Sequence, residues 1–400
     1  MERHSNLSIM NLSDFTSLSS LERKGNLGYA NQLYNPLNYF KFVYHISFDE
    51  NDGNIKLENP TIKVHTIKII WKRIPVIRWI ANMVYAFAKI YWIARKNKVC
   101  LVRGRGLYHG SLLGLMVARV LGIPFIVSIG GNQRLSNELS GQYPLYNSFF
   151  SDREEEMVIR SADMVICPNE YSRKYAVSLG VLTKRTCVIP LRLRDDIYNF
   201  RCDSTDILKK SGIDETRPIV LSVSRLEGDK QVDMLLAAIP LVVRKHPDVQ
   251  FVFIGDGSMR EEMECKVKML GLDRNVYFLG FQPTEAVKYC LGKASMVCVL
   301  MSGFVTYEAA AAGKAIVAFD VEWHSEFIRS GETGLLVKNR DWMGLAEAIS
   351  WLLDDTKVAE QLGKNARELV KSRYNPNILA EKEIAKLLGF IKHNKGGMRN

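Results

Sequence analysis

Short apolar runs rich in Val and Ile alternate along the chain with longer stretches in which apolar positions recur every three or four residues. Runs of that length with few polar interruptions fit strands buried on both faces, and their alternation with helical stretches predicts parallel sheets. In the second half, strands are predicted at 219–224, 250–254, 276–279, 296–300 and 315–319. Helices are predicted there at 232–245, 259–270, 283–291, 306–312 and 321–329, with Gly255, Gly271, Gly280 and Gly313 marking strand ends and helix stops. The first half repeats the logic, with strands at 7–10, 41–46, 99–103, 124–129, 164–167 and 186–189. The fold class predicted is α/β, as two Rossmann-like doubly wound domains: residues 1–198, residues 199–375, and a remainder, 376–400, made of a helix and a basic tail. Ligands of such sheets lie beyond the carboxyl ends of the strands, so a cleft between the two domains is the expected place for function.

Composition narrows the class without naming a chemistry. Four hundred residues exceed one small core, and 47% hydrophobic with 24% charged residues is ordinary for a globular protein, which argues against a disordered or collagenous chain. The cysteines Cys100, Cys167, Cys187, Cys202, Cys265, Cys290 and Cys298 are scattered with no C-x-x-C, which speaks against a disulfide framework or zinc site and for a reducing cytoplasm. Nowhere do eighteen uncharged apolar residues follow one another, so a soluble or peripheral, cytoplasmic protein is expected.

Charge changes the picture more. The net charge is +11, and no Asp or Glu occurs from Asn59 to Asn137, where Lys63, Lys68, Lys72, Arg73, Arg78, Lys89, Arg95, Lys96, Lys98, Arg103, Arg105, Arg119 and Arg134 fall. Such a field attracts phosphates. Within it, residues 75–96 form an apolar helix whose narrow polar stripe is Arg78, Asn82, Tyr85, Lys89, Trp92 and Lys96. Two readings stay open, a core helix under the sheet or an interfacial helix on an anionic membrane surface at the inner face of the plasma membrane. Nucleic acid is not expected as a partner, because aromatic and basic residues are not interleaved and no reader motif is present.

Several residues have types and positions that suit chemistry. Arg225 and Lys230 follow the strand at 219–224, and two cations there suit a diphosphate; a solvated loop with an ion pair to Glu227 or Asp229 is the plain alternative. Residues 301–308 run from a strand end into an Ala-rich helix, which offers N–H groups to an anion, and Glu308 suits either the two hydroxyls of a ribose or the positive helix end. Gly255-Asp256-Gly257 lacks the Lys-Ser/Thr of a phosphate loop and reads as a turn. Gly25 and Gly28 form a lone G-x-x-G. Asp320-Val321-Glu322 is the nearest approach to a paired-carboxylate metal site and reads as a helix start, so no metal and no cofactor are expected. His109 and His324 are isolated, His324 being the better placed.

In order over residues 219–374 come V-L-S-V-S-R-L-E-G-D-K, F-V-F-I-G-D-G-S-M-R-E-E-M, N-V-Y-F-L-G-F, Y-E-A-A-A-A-G-K-A-I-V-A-F-D, S-G-E-T-G-L-L-V and L-A-E-A-I-S-W-L-L-D-D. This succession resembles the retaining GT-B glycosyltransferases of the large fourth family, of bacterial surface-glycan type. The resemblance implies a donor site in the second domain and an acceptor site in the first. Arg225 and Lys230 would hold the donor diphosphate and Glu308 the ribose. Ser302, Gly303, Phe304, Val305 and Thr306, with Gly255, Gly280 and Phe281, would complete the donor side. Gly25, Gly28, His109, Gly130, Gly131 and Arg134 fall to the acceptor side, and the last helix would cross back to the first domain. Two departures stand out: Ser302 precedes Gly303-Phe304 where the family has a first glutamate, and Gly130 to Arg134 replace a loop that often carries a histidine. The implied function is transfer of a sugar from a nucleotide-sugar donor to a lipid-linked or growing glycan with retention. The other reading is a silent GT-B module acting as a scaffold subunit of a glycan-assembly complex.

Overall fold

The structure, a computed structural model, describes residues 5–13, 18, 27–48, 55–68, 76–132, 134, 148–194, 196–198, 200, 207–301 and 303–397. The chain divides into two units, Met1–Arg192 with Pro376–Asn400, and Leu193–Asn375.

In the first unit β1 (Ser5–Ser13), β2 (Phe40–Phe48), β3 (Ile62–Ile67), β4 (Val102–Arg105), β5 (Phe125–Ser128), β6 (Met164–Cys167) and β7 (Thr186–Val188) form a parallel sheet in the order β3-β2-β1-β4-β5-β6-β7. The helices are α1 (Leu27–Tyr34), α2 (Val76–Lys96), α3 (His109–Leu121), α4 (Ser148–Ser161) and α5 (Glu170–Ser178). Successive residues of a strand face opposite sides, so Met10 and Leu12 pack with Ile90, Ile93 and Leu113, whereas Ile9 packs with Tyr34, Phe40 and Ile126.

In the second unit β8 (Ile219–Val223), β9 (Gln250–Ile254), β10 (Val276–Phe278), β11 (Met296–Val299), β12 (Ala315–Phe319) and β13 (Leu335–Val337) form a parallel sheet in the order β10-β9-β8-β11-β12-β13. Around it lie α6 (Val232–Lys245), α7 (Arg260–Met269), α8 (Thr284–Lys293), α9 (Val305–Ala311), α10 (Trp342–Asp354) and α11 (Thr356–Arg373). Phe251 and Phe253 fill one face, and Val252 and Ile254 the other. The final helix, α12 (Pro376–Gly397), is part of the first unit, where it buries Leu387 and Ile391 against Ile9 and Tyr34.

Three expectations need correction. β3 and β13 were not among the predicted strands; β3 mixes Lys63 and His65 into its apolar run at the sheet edge, and β13 has three residues, too few for a period. The helix expected at 321–329 shrinks to His324–Phe327, because Glu322 takes a left-handed turn at φ 49° just before it. The lone G-x-x-G, which as a sequence suits a flexible loop, has its second glycine, Gly28, in the first turn of α1.

Candidate functional site

In both sheets the chain reverses its winding beside the first strand of the unit: between β1 and β4, and between β8 and β11. Such a switch point leaves a crevice at the carboxyl ends of the two strands. In the second unit a pocket of about 140 Å³ lies there, lined by Ser222, Ser224, Lys230, Met301, Gly303 and Phe304 among others. It is small beside the roughly 300–1,000 Å³ of sites that enclose a whole ligand, and is suited to one part of one.

The loop after β8 is rigidly held. Ser224 N–H donates to Ile254 O and Leu226 N–H to Asp256 O, both at 3.0 Å, while Met259 N–H donates to Leu226 O at 3.0 Å. Two glycines make this possible. A Cβ on Gly255, at φ 136°, would run into the Ser224 carbonyl oxygen, and one on Gly257 into that of Leu226. Gly255 thus positions the Arg225 loop. Glu227 adds a clamp by accepting from Ser258 N–H at 3.0 Å and Ser258 Oγ–H at 2.6 Å.

Arg225 and Lys230 converge on one buried carboxylate. Arg225 Nη2 donates to Asp229 Oδ2 at 2.7 Å, and Lys230 Nζ stands 3.4 Å from the same atom. Asp229 is 4% exposed and its Oδ1 has no hydrogen-bond partner. The ion pair with Asp229 foreseen as the plain alternative therefore exists, and of the two cations Lys230 lines the switch-point pocket, with Ser224 beside Arg225. Beyond Lys230, the C-terminal end of β12 carries Glu322, whose carboxyl burial pushes above its ordinary value while Lys230 pulls it back. Gln231, at φ 52°, donates through Nε2 to Met301 Sδ at 3.1 Å and so ties the β8 side of the crevice to the β11 side.

The β11–α9 connection differs from the expected anion cradle. α9 has seven residues, and its first N–H groups are already used: Thr306 N–H donates to Gly303 O at 3.2 Å, and Tyr307 and Glu308 N–H donate to Phe304 O at 3.0 and 3.3 Å. Gly303, Phe304 and Val305 line the pocket, while Thr306 is fully buried beneath it. Ser302 lies outside the described residues. Glu308 is half-buried, and desolvation raises its carboxyl above the ordinary value; Arg194 and Lys288 oppose that shift and Asp196 adds to it. Those three form their own cluster, with Arg194 gripping Asp196 through Nε and Nη2 at 2.9 and 2.8 Å and Lys288 Nζ at 2.5 Å. Sequence reasoning missed this cluster, since nothing in the local pattern of Asp196 or Lys288 links residues 92 apart. Gly280, at φ 65°, accepts from Gly255 N–H at 2.9 Å, and Phe281 beside it is 58% exposed. His324 is buried, its Nδ1 donating to Phe319 O at 2.7 Å, and Cys298 in the pocket wall has its thiol pushed up to about 12 by burial, which makes it a poor nucleophile.

In the first unit two of the expected acceptor-side residues are found in ion pairs. Arg134, expected to meet an acceptor or a phosphate, is held by α4 carboxylates: Glu155 at 2.8 Å, Glu156 at 2.9 Å and Asp152 at 3.4 Å. His109 Nδ1 pairs with Glu154 at 2.6 Å on the same helix. Both anchor α4. Gly130 and Gly131 follow β5 with open space where a side chain would stand, as does Gly28, and Gly25 lies outside the described residues. Among the described residues no group of three His, Cys, Asp or Glu is placed to hold a metal ion.

Two doubly wound parallel-sheet units define the class: a GT-B-like α/β fold. Residues 203–369 match the family model described as Glycosyl transferases group 1. The Alpha-D-kanosaminyltransferase of Streptomyces kanamyceticus is 26% identical over 335 residues, 77% of this chain and 86% of its own. The poly(ribitol-phosphate) alpha-N-acetylglucosaminyltransferase of Staphylococcus aureus is 29% identical over 173 residues, 42% of this chain and 35% of its own. Among solved structures, Anabaena HepE in complex with UDP shares the fold with a TM-score of 0.73 at 19% identity, covering 96% of this chain and all of that one.

Proposed function

We propose that the chain transfers a sugar from a nucleoside-diphosphate sugar to a hydroxyl of a lipid-linked or growing surface glycan, with retention of configuration. The observation that carries this reading is the pair Arg225 and Lys230 on Asp229 at the switch-point pocket. In the transfer the bond from the sugar C1 to the phosphate oxygen breaks and the bond to the acceptor oxygen forms on the same face. The acceptor proton passes to the departing diphosphate, so no side-chain base is needed. Arg225 and Lys230 neutralise the charge that builds on that diphosphate, with no metal ion taking part. Glu308 accepts from the ribose hydroxyls, and exposed Phe281 offers a face to the base. The family match and the kanosaminyl- and N-acetylglucosaminyltransferase relatives support transfer over a silent scaffold.

The acceptor's lipid is met, in this reading, by the face of α2 and its neighbour α3. Ile80, Val84, Tyr85 and Trp92 on α2 and Met116 and Val120 on α3 are exposed apolar side chains. Lys96 Nζ sits 4.6 Å over the Trp92 ring and Lys89 Nζ 5.8 Å over the Tyr85 ring, with Arg95 and Arg119 exposed nearby in sequence. Apolar side chains edged by cations suit an anionic bilayer surface. No helix among the described residues is long and apolar enough to cross a membrane.

The deciding experiment is a transfer assay with a panel of nucleotide sugars and glycan acceptors, reading the anomeric configuration of the product by NMR. Turnover that Glu308→Gln and Arg225→Ala both suppress supports the reading; a product of inverted configuration removes retention, and no turnover with any donor returns the scaffold alternative.

A further inference from the structure

Among the described residues, the switch point of the first sheet holds an unbalanced set of charges. Register places Asn11 of β1 between His45 of β2 and Arg103 of β4, with Ser13 opposite Arg105, so Asn11, His45, Arg103 and Arg105 share one face at the carboxyl end of the sheet. Arg192 joins them, donating through Nη1 to Gln32 O at 2.8 Å and through Nη2 to Leu33 O at 2.5 Å. Against these three guanidinium groups α12 brings one buried carboxylate, Glu383, which pairs with Arg103 and stands 3.1 Å from Arg192 Nε.

Arg105 is the group left over. Its Nη2 donates to Leu33 O at 3.0 Å, its Nε is buried without a partner, and it is in no ion pair with any described carboxylate. A column of rings fixes it in place. Its guanidinium lies 5.2 Å over the Tyr34 ring, and Tyr34 in turn stacks on His45 at 4.1 Å and 15°. Around it, both ring nitrogens of fully buried His45 and the Oδ1 of fully buried Asn11 are without hydrogen-bond partners. His45 contributes no charge, since burial and the nearby Arg105 lower it to about 3. An unmatched guanidinium in such surroundings costs several kcal/mol unless an anion completes it, and an Arg fork fits a phosphate through two parallel hydrogen bonds.

We propose that Arg105 is the contact for a phosphate group carried by the acceptor, bound at the β1/β4 switch point. That the phosphate belongs to an acceptor rests on the transfer reading above; that a phosphate binds at Arg105 does not. Tyr34 and His45 are positioning residues, holding the guanidinium plane towards the crevice.

The test is phenylglyoxal labelling of the full chain, with Arg105 followed by mass spectrometry. The reagent attacks guanidine groups that solvent reaches, and Arg105 is half-buried. Labelling is run alone and with inorganic phosphate, glycerol 1-phosphate or a short-chain phosphatidic acid, in the native chain and in Lys230→Ala. The expected result is severalfold slower labelling of Arg105 with a phosphate probe, unchanged in Lys230→Ala. Protection by inorganic phosphate identifies a free phosphate, and protection by the lipid alone a headgroup; either supports the site. Equal labelling with all probes, or protection that vanishes in Lys230→Ala, overturns it. A UDP titration of the same samples reports the donor site separately, so failure here and failure of the transfer reading are distinguishable.

Discussion

The guanidinium of Arg225 is held 2.7 Å from the buried carboxylate of Asp229, four residues on, before any ligand arrives. Half of the Arg225 side chain is exposed, so the pair adds little to stability. Its value is in order. Asp229→Asn frees Arg225 and Lys230, and ordering each again on binding costs about 0.5–1.5 kcal/mol. Nucleoside diphosphate affinity should fall on the order of tenfold, measured calorimetrically, with Asp229→Glu recovering part of it.

Gly255→Ala should cost about 2–4 kcal/mol in urea unfolding, because the new Cβ meets the Ser224 carbonyl and φ 136° is closed to other residues. Gly271→Ala, at φ 65° with open space around it, should cost less. A larger loss at Gly271 would show that the β8–β9 clamp is not what fixes the Arg225 loop.

Burial raises the Glu308 carboxyl above the ordinary value, so it takes up a proton at higher pH than a solvated glutamate does. If Glu308 accepts from the ribose hydroxyls as proposed, protonation removes the charge they bind to, so nucleotide affinity should weaken as pH falls, starting above the usual carboxyl range. Glu308→Gln should bind weakly at every pH and lack that step; an identical pH profile in the variant would take Glu308 out of the site.

Glu383 moves the other way. Burial by itself would raise its carboxyl, but Arg103, Arg192 and Arg105 outweigh burial and hold it at about 2. Its stabilisation is complete above the unfolded value of about 4.3 and is lost as pH falls towards 2. Glu383→Gln leaves the guanidinium cluster without a carboxylate and should cost about 3–5 kcal/mol at neutral pH. Urea unfolding from pH 6 to pH 2 should show the gap between native and variant closing with acid.

What was legible in the sequence follows from the range of each interaction. The strands at Gln250–Ile254, Met164–Cys167 and Ala315–Phe319 are buried on both faces and read as unbroken apolar runs. Edge strand β3 and three-residue β13 carry no such signature. Arg225 and Lys230 were visible as a cationic loop after a strand, yet the choice between a phosphate contact and an ion pair depended on Asp229 being buried. The contact of Arg103 with Glu383 spans 280 residues and brings α12 onto the first unit. No local pattern marks it, and none marks the pairing of Arg134 and His109 with α4 carboxylates 21 and 45 residues away.

Calorimetric titration of the purified chain with UDP, GDP, ADP, dTDP and CMP, repeated on Lys230→Ala, tests the central claim most directly. One nucleoside diphosphate should bind, and Lys230→Ala should weaken it by roughly 10- to 150-fold, the range of a lost charge-assisted hydrogen bond. Binding of equal strength in the variant, or no binding by any nucleotide, would contradict a donor site built on Arg225, Lys230 and Asp229.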